Sequence, residues 1–296
     1  MSQDWADNIA QKLISRNLIQ IGTCLILGAA DTGKTTLAAA LAKRLAPSRP
    51  IGIVDADIGQ SHIGPPTTVG WAVATNPPPL LSSDRKTRGD LWQLPTASIS
   101  FVGDVTPVGH LLQLTAAIIQ SVEQASKVTE LIIVDTPGFI TGPAASALWW
   151  TVQRVLNPKL ILAVERNNEL SDILAGLHRL GPHLELVKSP PQIKAKSPQD
   201  RRAYRQSQFN KYFQNSLLHN INLSDMAVQV TWNSSRNNPV SHIAALRNQD
   251  GTDVAIGIIT EWQPDKNTVV LKAPQLDIRQ ISCLVIGDAT IDIAEG

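Results

Sequence analysis

The stretch "GAADTGKTT" (28–36) follows the short apolar run Cys24-Leu25-Ile26-Leu27 and runs into "TLAAALAKRLA" (36–46). From Gly28 to Thr35 it fits G-x-x-x-x-G-K-[ST] in full, and its flanks read as a buried strand and then a helix. In that setting the glycines let the backbone curl, so that its N–H groups and the helix N-terminus face phosphate oxygens. Lys34 then reaches the β and γ oxygens, and the Thr35 hydroxyl binds Mg²⁺. Gly28, Asp31, Thr32, Gly33, Lys34, Thr35 and Thr36 are therefore the expected nucleotide contacts. The pattern points to a nucleoside triphosphate and leaves the phosphate acceptor open, because ATPases, GTPases, chaperones and kinases share it.

Two more runs carry carboxylates to where the sheet should meet this loop. "LIIVDTPG" (131–138) places Asp135 at a strand end, where an acid holds Mg²⁺ or its water shell. "IGIVDADIGQ" (51–60) places Asp55 and Asp57 two apart, so that in a strand they share a face. Either could take a proton from an attacking hydroxyl or water, and either could be a turn aspartate or cap. The Asp-Thr-Pro-Gly run also resembles the D-x-x-G of GTPases, but no Asn-Lys-x-Asp occurs to read a guanine edge, so ATP is the expected nucleotide.

Together with "CLILG" (24–28), "SISFVGD" (98–104) and "LILAVE" (160–165), these runs are short and rich in Ile, Leu and Val, as strands covered on both faces are. The spacing predicts an α/β fold: a parallel P-loop sheet with flanking helices over 21–220, preceded by an N-terminal helix in 1–20. Between the second and third runs, "SHIGPPTTVGWAVATNPPPLLSSDRKTRGD" (61–90) reads as an irregular insertion that could carry substrate contacts. From 221 to 296 short strands separated by turn signals predict a small all-β domain.

The chain has 296 residues, 43% hydrophobic and 17% charged, with two cysteines, Cys24 and Cys283. That composition excludes a disulfide framework, a cysteine zinc site and a largely disordered chain. No apolar run is long enough for a membrane span, and the polar, amphipathic start lacks a secretion signal, so a cytoplasmic protein without membrane contact is expected. Net charge is +1, yet 188–211 carries seven Lys/Arg against the single acid Asp200. Such a segment is either a solvated basic helix or a local anion site. Within it "KSPQDRRAYRQSQFNKYF" (196–213) predicts a helix capped by Ser197, with Pro198 at the first helical position. Arg201 and Arg205 share one face, placed to close as a lid (194–213) over a triphosphate.

The ordered set "GAADTGKTT", "VDADIGQS", "PTTVGWA", "FVGDVTPVGH", "VDTPGFITG" and the Arg-rich lid resembles the Clp1/Grc3/NOL9-type polynucleotide 5′-hydroxyl kinases over about 24–213. The resemblance implies transfer of the ATP γ-phosphate, with Mg²⁺, to the 5′-hydroxyl of a single-stranded RNA end, or a DNA end, in RNA processing or repair. It names no protein partner. Carried over by position, Lys34, Asp57, Arg201 and Arg205 are catalytic, with Asp57 as base. Thr35, Asp57 and Asp135 hold the metal, and Gln60, Thr106, Phe139 and Lys196 contact substrate. Phe139 stands where eukaryotic members have a Trp platform, Lys196 where they have Arg, and Val105 where they have Thr. Their N-terminal domain is reduced to the one predicted helix, which loosens the expected adenine selectivity. A P-loop ATPase or GTPase driving assembly, and a scaffold that binds ATP without turnover, are the competing readings. His62 and His110 are read as structural hydrogen-bonders, Trp71 as core or base-stacking, and Trp149-Trp150 as core.

Overall fold

Runs of five to seven apolar residues cannot form stable helices, but side by side they satisfy every backbone group and bury both faces. In the computed structural model, which describes residues 2–75, 94–177, 181–224, 226–230 and 238–291, five such strands run parallel. Their order is β7 (His183–Lys188), β6 (Leu160–Glu165), β1 (Gly22–Gly28), β5 (Leu131–Asp135) and β2 (Ile51–Asp55). Successive side chains alternate between two cores: Ile26 faces one, Leu25 and Leu27 the other. The first core is closed by α1 (Ser2–Ser15) and α2 (Lys34–Leu45), the second by α3 (Leu111–Ser126), α4 (Gly142–Leu156) and α5 (Ser171–Leu177). Because the strands are parallel, β1, β2 and β5 end on the same edge of the sheet, and the expected phosphate loop and carboxylates come together there.

The stretch expected to be irregular contains a strand. β3 (Thr68–Ala74) runs antiparallel to β2, and β4 (Ser98–Phe101) runs antiparallel to β3, so the sheet is mixed rather than wholly parallel. Only twelve residues separate β2 from β3, enough for a tight return but not for a crossover helix. The prolines that argue against a strand sit outside it, Pro65 and Pro66 before β3 and Pro77 to Pro79 after. The latter, with the rest of 76–93, lie outside the described residues. Trp71 lies in β3, buried, and its Nε1 donates to Gln124 Oε1 at 2.8 Å.

Beyond α6 (Pro198–Phe213), the helix expected to act as a lid, come β8 (Leu217–Asn222), β9 (Ala227–Val230), β10 (His242–Asn248), β11 (Asp253–Gln263), β12 (Thr268–Ala273) and β13 (Ile281–Thr290). They pair in the order β8-β12-β11-β10-β13-β9, antiparallel except for β9 on β13. This sheet is hydrogen-bonded to the first where Asp253 of β11 faces Ile99 of β4. The Asp253 carboxylate is 4% exposed; it accepts the Phe101 N–H at 2.7 Å and two bonds from Arg247, at 2.8 and 3.2 Å. Ile99, Phe101, Phe209, Phe213, Ile256 and Ile258 pack around the junction, so α6 and both sheets share a core. Among the described residues no helix is long and apolar enough to cross a membrane.

Asp253→Ala would leave the Phe101 N–H and the Arg247 guanidinium without their buried acceptor, which costs about 3 kcal/mol. In a domain of this size that lowers the melting temperature by about 6–12 °C, read by calorimetry. An unchanged midpoint would mean that the two sheets do not depend on this carboxylate.

Candidate active site

The 28–36 loop closes on itself at the end of β1. Gly33 is left-handed (φ 98°) at the N-cap of α2, and Asp31 is also at positive φ (57°), which turns the loop's backbone inward. A Cβ on Gly28 would lie 2.4 Å from the Val164 carbonyl oxygen, and one on Gly138 would lie 2.5 Å from the Ala30 nitrogen. Backbone therefore meets backbone on both sides of the loop. The Thr32 hydroxyl and the Lys34 ammonium both donate to the Ala29 carbonyl, at 2.9 and 2.8 Å, and Ser189 donates to the Thr32 carbonyl at 2.9 Å. Lys34 is buried, which pushes its pKa down, while Asp135, Asp57 and Asp31 pull it back up.

Asp55 and Asp135 are direct neighbours across the β2–β5 ladder, both 1% exposed. Burial pushes each carboxyl up to about 7. Asp55 accepts three backbone N–H groups, from Asp57, His62 and Ile63, and so folds the loop that follows β2. Asp135 accepts the Thr35 hydroxyl at 2.6 Å on Oδ2, while its buried Oδ1 has no partner. That orphaned oxygen beside a threonine hydroxyl, next to a loop closely packed at Gly28 and Gly138, is a donor set that would fit Mg²⁺. Asp57 is half-buried; its Oδ1 accepts the N–H groups of Gly59 and Gln60 at 3.1 and 3.0 Å. Among the described residues no hydrogen bond falls on its Oδ2. The turn reading of this aspartate is thus observed, and it fixes the carboxyl beside the loop.

The lid helix α6 begins in a capping box: Asp200 N–H donates to the Ser197 hydroxyl, and the Asp200 carboxylate accepts from the Ser197 backbone. Arg201 is ion-paired with Asp31 of the phosphate loop, and the Lys196 N–H donates to the same carboxylate at 3.0 Å. Gln60 Nε2 donates to the Arg201 carbonyl at 3.2 Å, and the Tyr204 hydroxyl to the Ser61 carbonyl at 3.1 Å, so the lid also rests on the loop after β2. Partial burial and the positive charges of Arg202 and Arg201 lower the Arg205 pKa, while Asp57 and Asp104 act on it as attracting charges.

Lys34, Thr35, Asp31, Asp57, Asp135, Gln60, Arg201 and Arg205 thus surround one loop edge. Three expected contacts stand differently. Lys196 is exposed with its ammonium 5.3 Å over the Tyr204 ring. Thr106 is exposed and accepts the Val108 N–H. Phe139 is half-buried against the core, and its carbonyl accepts the indole N–H of the buried Trp149 at 2.7 Å. Thr36 is half-buried on the first turn of α2. Sequence reading missed Arg166, which donates to the Asp31 carbonyl, while of the two readings open for Asp55 the turn-forming one is observed. His110 has the structural role expected of it, buried with Nε2 at 3.3 Å from both Asp104 and Asp288, partners the sequence did not name. A partner 178 positions away leaves no local signal; an aspartate doublet at a strand end does.

A family profile described as the mRNA cleavage and polyadenylation factor CLP1 P-loop matches residues 28–215, more than half of the chain. The chain belongs to the Clp1 P-loop family. Among relatives, a polyribonucleotide 5′-hydroxyl-kinase of Pyrococcus abyssi is 35% identical over 209 residues, 70% of this chain and 55% of the relative. One of Methanocaldococcus jannaschii is 29% identical over 205 residues, 69% of this chain and 54% of that protein. The chain thus spans about half the length of the curated relatives it matches. The Clp1p chain of a solved Clp1p–Pcf11p complex superposes with a TM-score of 0.69 at 12% identity, covering 96% of this chain and 77% of that one. The Clp1 fold therefore extends across both sheets.

Two expectations follow. Gly138→Ala must displace Ala30, and because both clashing groups are backbone the phosphate loop shifts; nucleotide affinity by calorimetry should fall at least about tenfold. Undiminished affinity would show that the loop tolerates the displacement. Asp55 binds its proton more tightly folded than unfolded, between its ordinary 3.8 and about 7. Its contribution to stability is complete below that window and is lost as pH rises through it, by at most about 1.4 kcal/mol per pH unit. Asp55→Asn should flatten the fall in stability from pH 5 to 7.5, measured by urea unfolding, and an unchanged slope would remove Asp55 as its source.

Proposed function

We propose that this chain is a polynucleotide 5′-hydroxyl kinase that moves the γ-phosphoryl group of ATP to the 5′-oxygen of an RNA end, or a DNA end, with residues 21–220 carrying the chemistry. The observation that carries this reading is the position of Asp57. Its carboxylate is fixed by the Gly59 and Gln60 N–H groups on the loop that follows β2, and Gln60 in turn bonds the Arg201 carbonyl at the start of α6, so the loop that carries this acid is joined to the helix expected to close over the phosphates. Turn hydrogen bonds to Oδ1 leave Oδ2 as the proton acceptor.

In this reading the backbone N–H groups of 28–36 hold the phosphates, and Lys34 turns from the Ala29 carbonyl to the β and γ oxygens. Thr35 and Asp135, with Asp57 nearby, would hold Mg²⁺, which when bound offsets charge on the phosphate oxygens. Asp57 takes the proton of the 5′-hydroxyl as the bond from that oxygen to the γ-phosphorus forms and the bond from phosphorus to the β–γ bridging oxygen breaks. Arg201 exchanges its bond to Asp31 for the transferred group, and Arg205 offsets developing charge from the other side. Gln60 orients the acceptor end, Thr106 and Lys196 meet its phosphate, and the open part of the Phe139 ring stacks on the terminal base. Its two free thiols suit a reducing compartment, and we place the protein in the cytoplasm.

The test is the fate of label from γ-labelled ATP given with Mg²⁺ and a 5′-hydroxyl oligonucleotide. Label on the 5′ end is expected; label only in free phosphate would make the chain a hydrolase, and intact ATP a scaffold. Lys34→Ala and Asp57→Ala should each lower transfer at least about 100-fold. Asp57→Ala should keep ATP affinity within about threefold, and undiminished turnover in it would refute the base.

A further inference from the structure

Resting on the kinase reading, we propose that the second nucleotide of the acceptor strand sits in a cleft between α6, the 103–108 loop and the end of β13, which makes the C-terminal sheet part of the polynucleotide site. The cleft measures about 640 Å³, the size of a nucleotide-scale site, and is lined by Asp104, Val105, Arg202, Arg205, Asp288 and Thr290 among others. It adjoins the Asp57 turn, because a Cβ on Gly59 would lie 2.6 Å from the carbonyl oxygen of Val105, which lines the cleft, and 3.7 Å from Asp57 Oδ1. A strand entering with its 5′-oxygen at Asp57 would run into the cleft with its second nucleotide, and the phosphate on the 3′ side of that nucleotide would lie beside Arg202.

The walls divide by chemistry. Arg202 and Arg205 offer forked donors that suit a phosphodiester. The carboxylates of Asp104 and Asp288 repel a phosphate and accept from sugar hydroxyls or base amino groups, so they orient the backbone towards the arginines. This wall is rigidly built. His110, 1% exposed, holds its Nε2 at 3.3 Å from both carboxylates and ties the loop to β13. The Asp288 and Ala289 N–H groups donate to the Gly103 carbonyl at 2.8 and 3.0 Å. A Cβ on Gly287 would lie 2.5 Å from that same oxygen, so the two backbones touch. Gly59 is similarly close to the Val105 carbonyl, which joins this loop to the Asp57 turn.

The experiment compares a 5′-hydroxyl hexaribonucleotide with a nucleoside 3′-monophosphate, which has no second nucleotide, as acceptors for wild type, Arg202→Ala and Thr290→Trp. Arg202 is exposed, so its loss does not threaten folding. Each variant should raise the KM for the hexamer about tenfold, leaving the KM values for ATP and the mononucleotide within about twofold. Arg202→Ala should also flatten the salt dependence of hexamer KM by about 0.7 in log–log slope, the loss of one phosphate contact. Hexamer KM values unchanged in both variants, or equal losses on both acceptors, would overturn the proposal. Failure of wild type to label either acceptor would instead sink the kinase reading on which it rests.

Discussion

Two carboxylates buried side by side at the ends of β2 and β5 set the terms for everything around the site. Leaving an ionised carboxyl in a dry sheet edge is costly unless hydrogen bonds or a cation compensate it. Asp55 meets that demand with three backbone N–H groups, and the loop it gathers is the one that presents Asp57, Gly59 and Gln60. Asp135 meets it only in part, through Thr35, and keeps one oxygen bare beside a buried lysine. The pair thus divides its work: Asp55 shapes the loop after β2, and Asp135 keeps an unpartnered oxygen beside Thr35 of the phosphate loop.

The same edge explains why the lid and the second sheet lie where they do. Asp31 turns its carboxylate to Arg201 and the Lys196 N–H, so the phosphate loop anchors the start of α6. Further along, Phe209 and Phe213 sink into the junction of β4 with β11, so the C-terminal end of α6 is fixed to the second sheet. A helix held at one end by ion pairs and at the other by apolar packing can exchange the former for a triphosphate without losing the latter.

Motifs whose chemistry is local could be read from the chain. The glycine spacing of 28–36, the acid at the end of β5 and the Ser197 cap each state their structure within a few residues. β3 escaped because its Thr-Val-Gly-Trp-Ala-Val-Ala run is bracketed by prolines, which carry a stronger local signal than seven β-formers. β7 escaped because polar residues fall on both faces of an edge strand, His183 and Glu185 on one and Lys188 on the other, which hides the apolar alternation. The Asp31–Arg201 and His110–Asp288 contacts escaped for another reason: they join residues more than 160 positions apart, and charge alone does not name a partner. Asp57 forms the turn expected of it, since one carboxylate oxygen accepts the Gly59 and Gln60 N–H groups.

The central claim is that Asp57 stands between a bound triphosphate and the terminal oxygen of a polynucleotide. The most direct measurement is a crystal structure with Mg²⁺, a non-transferable ATP analogue and a short 5′-hydroxyl oligonucleotide. The account predicts the 5′-oxygen about 2.6–3.2 Å from Asp57 Oδ2 and in line with the γ-phosphorus. A strand bound elsewhere, or an Asp57 carboxylate turned from the 5′-oxygen with the analogue in place, would contradict it.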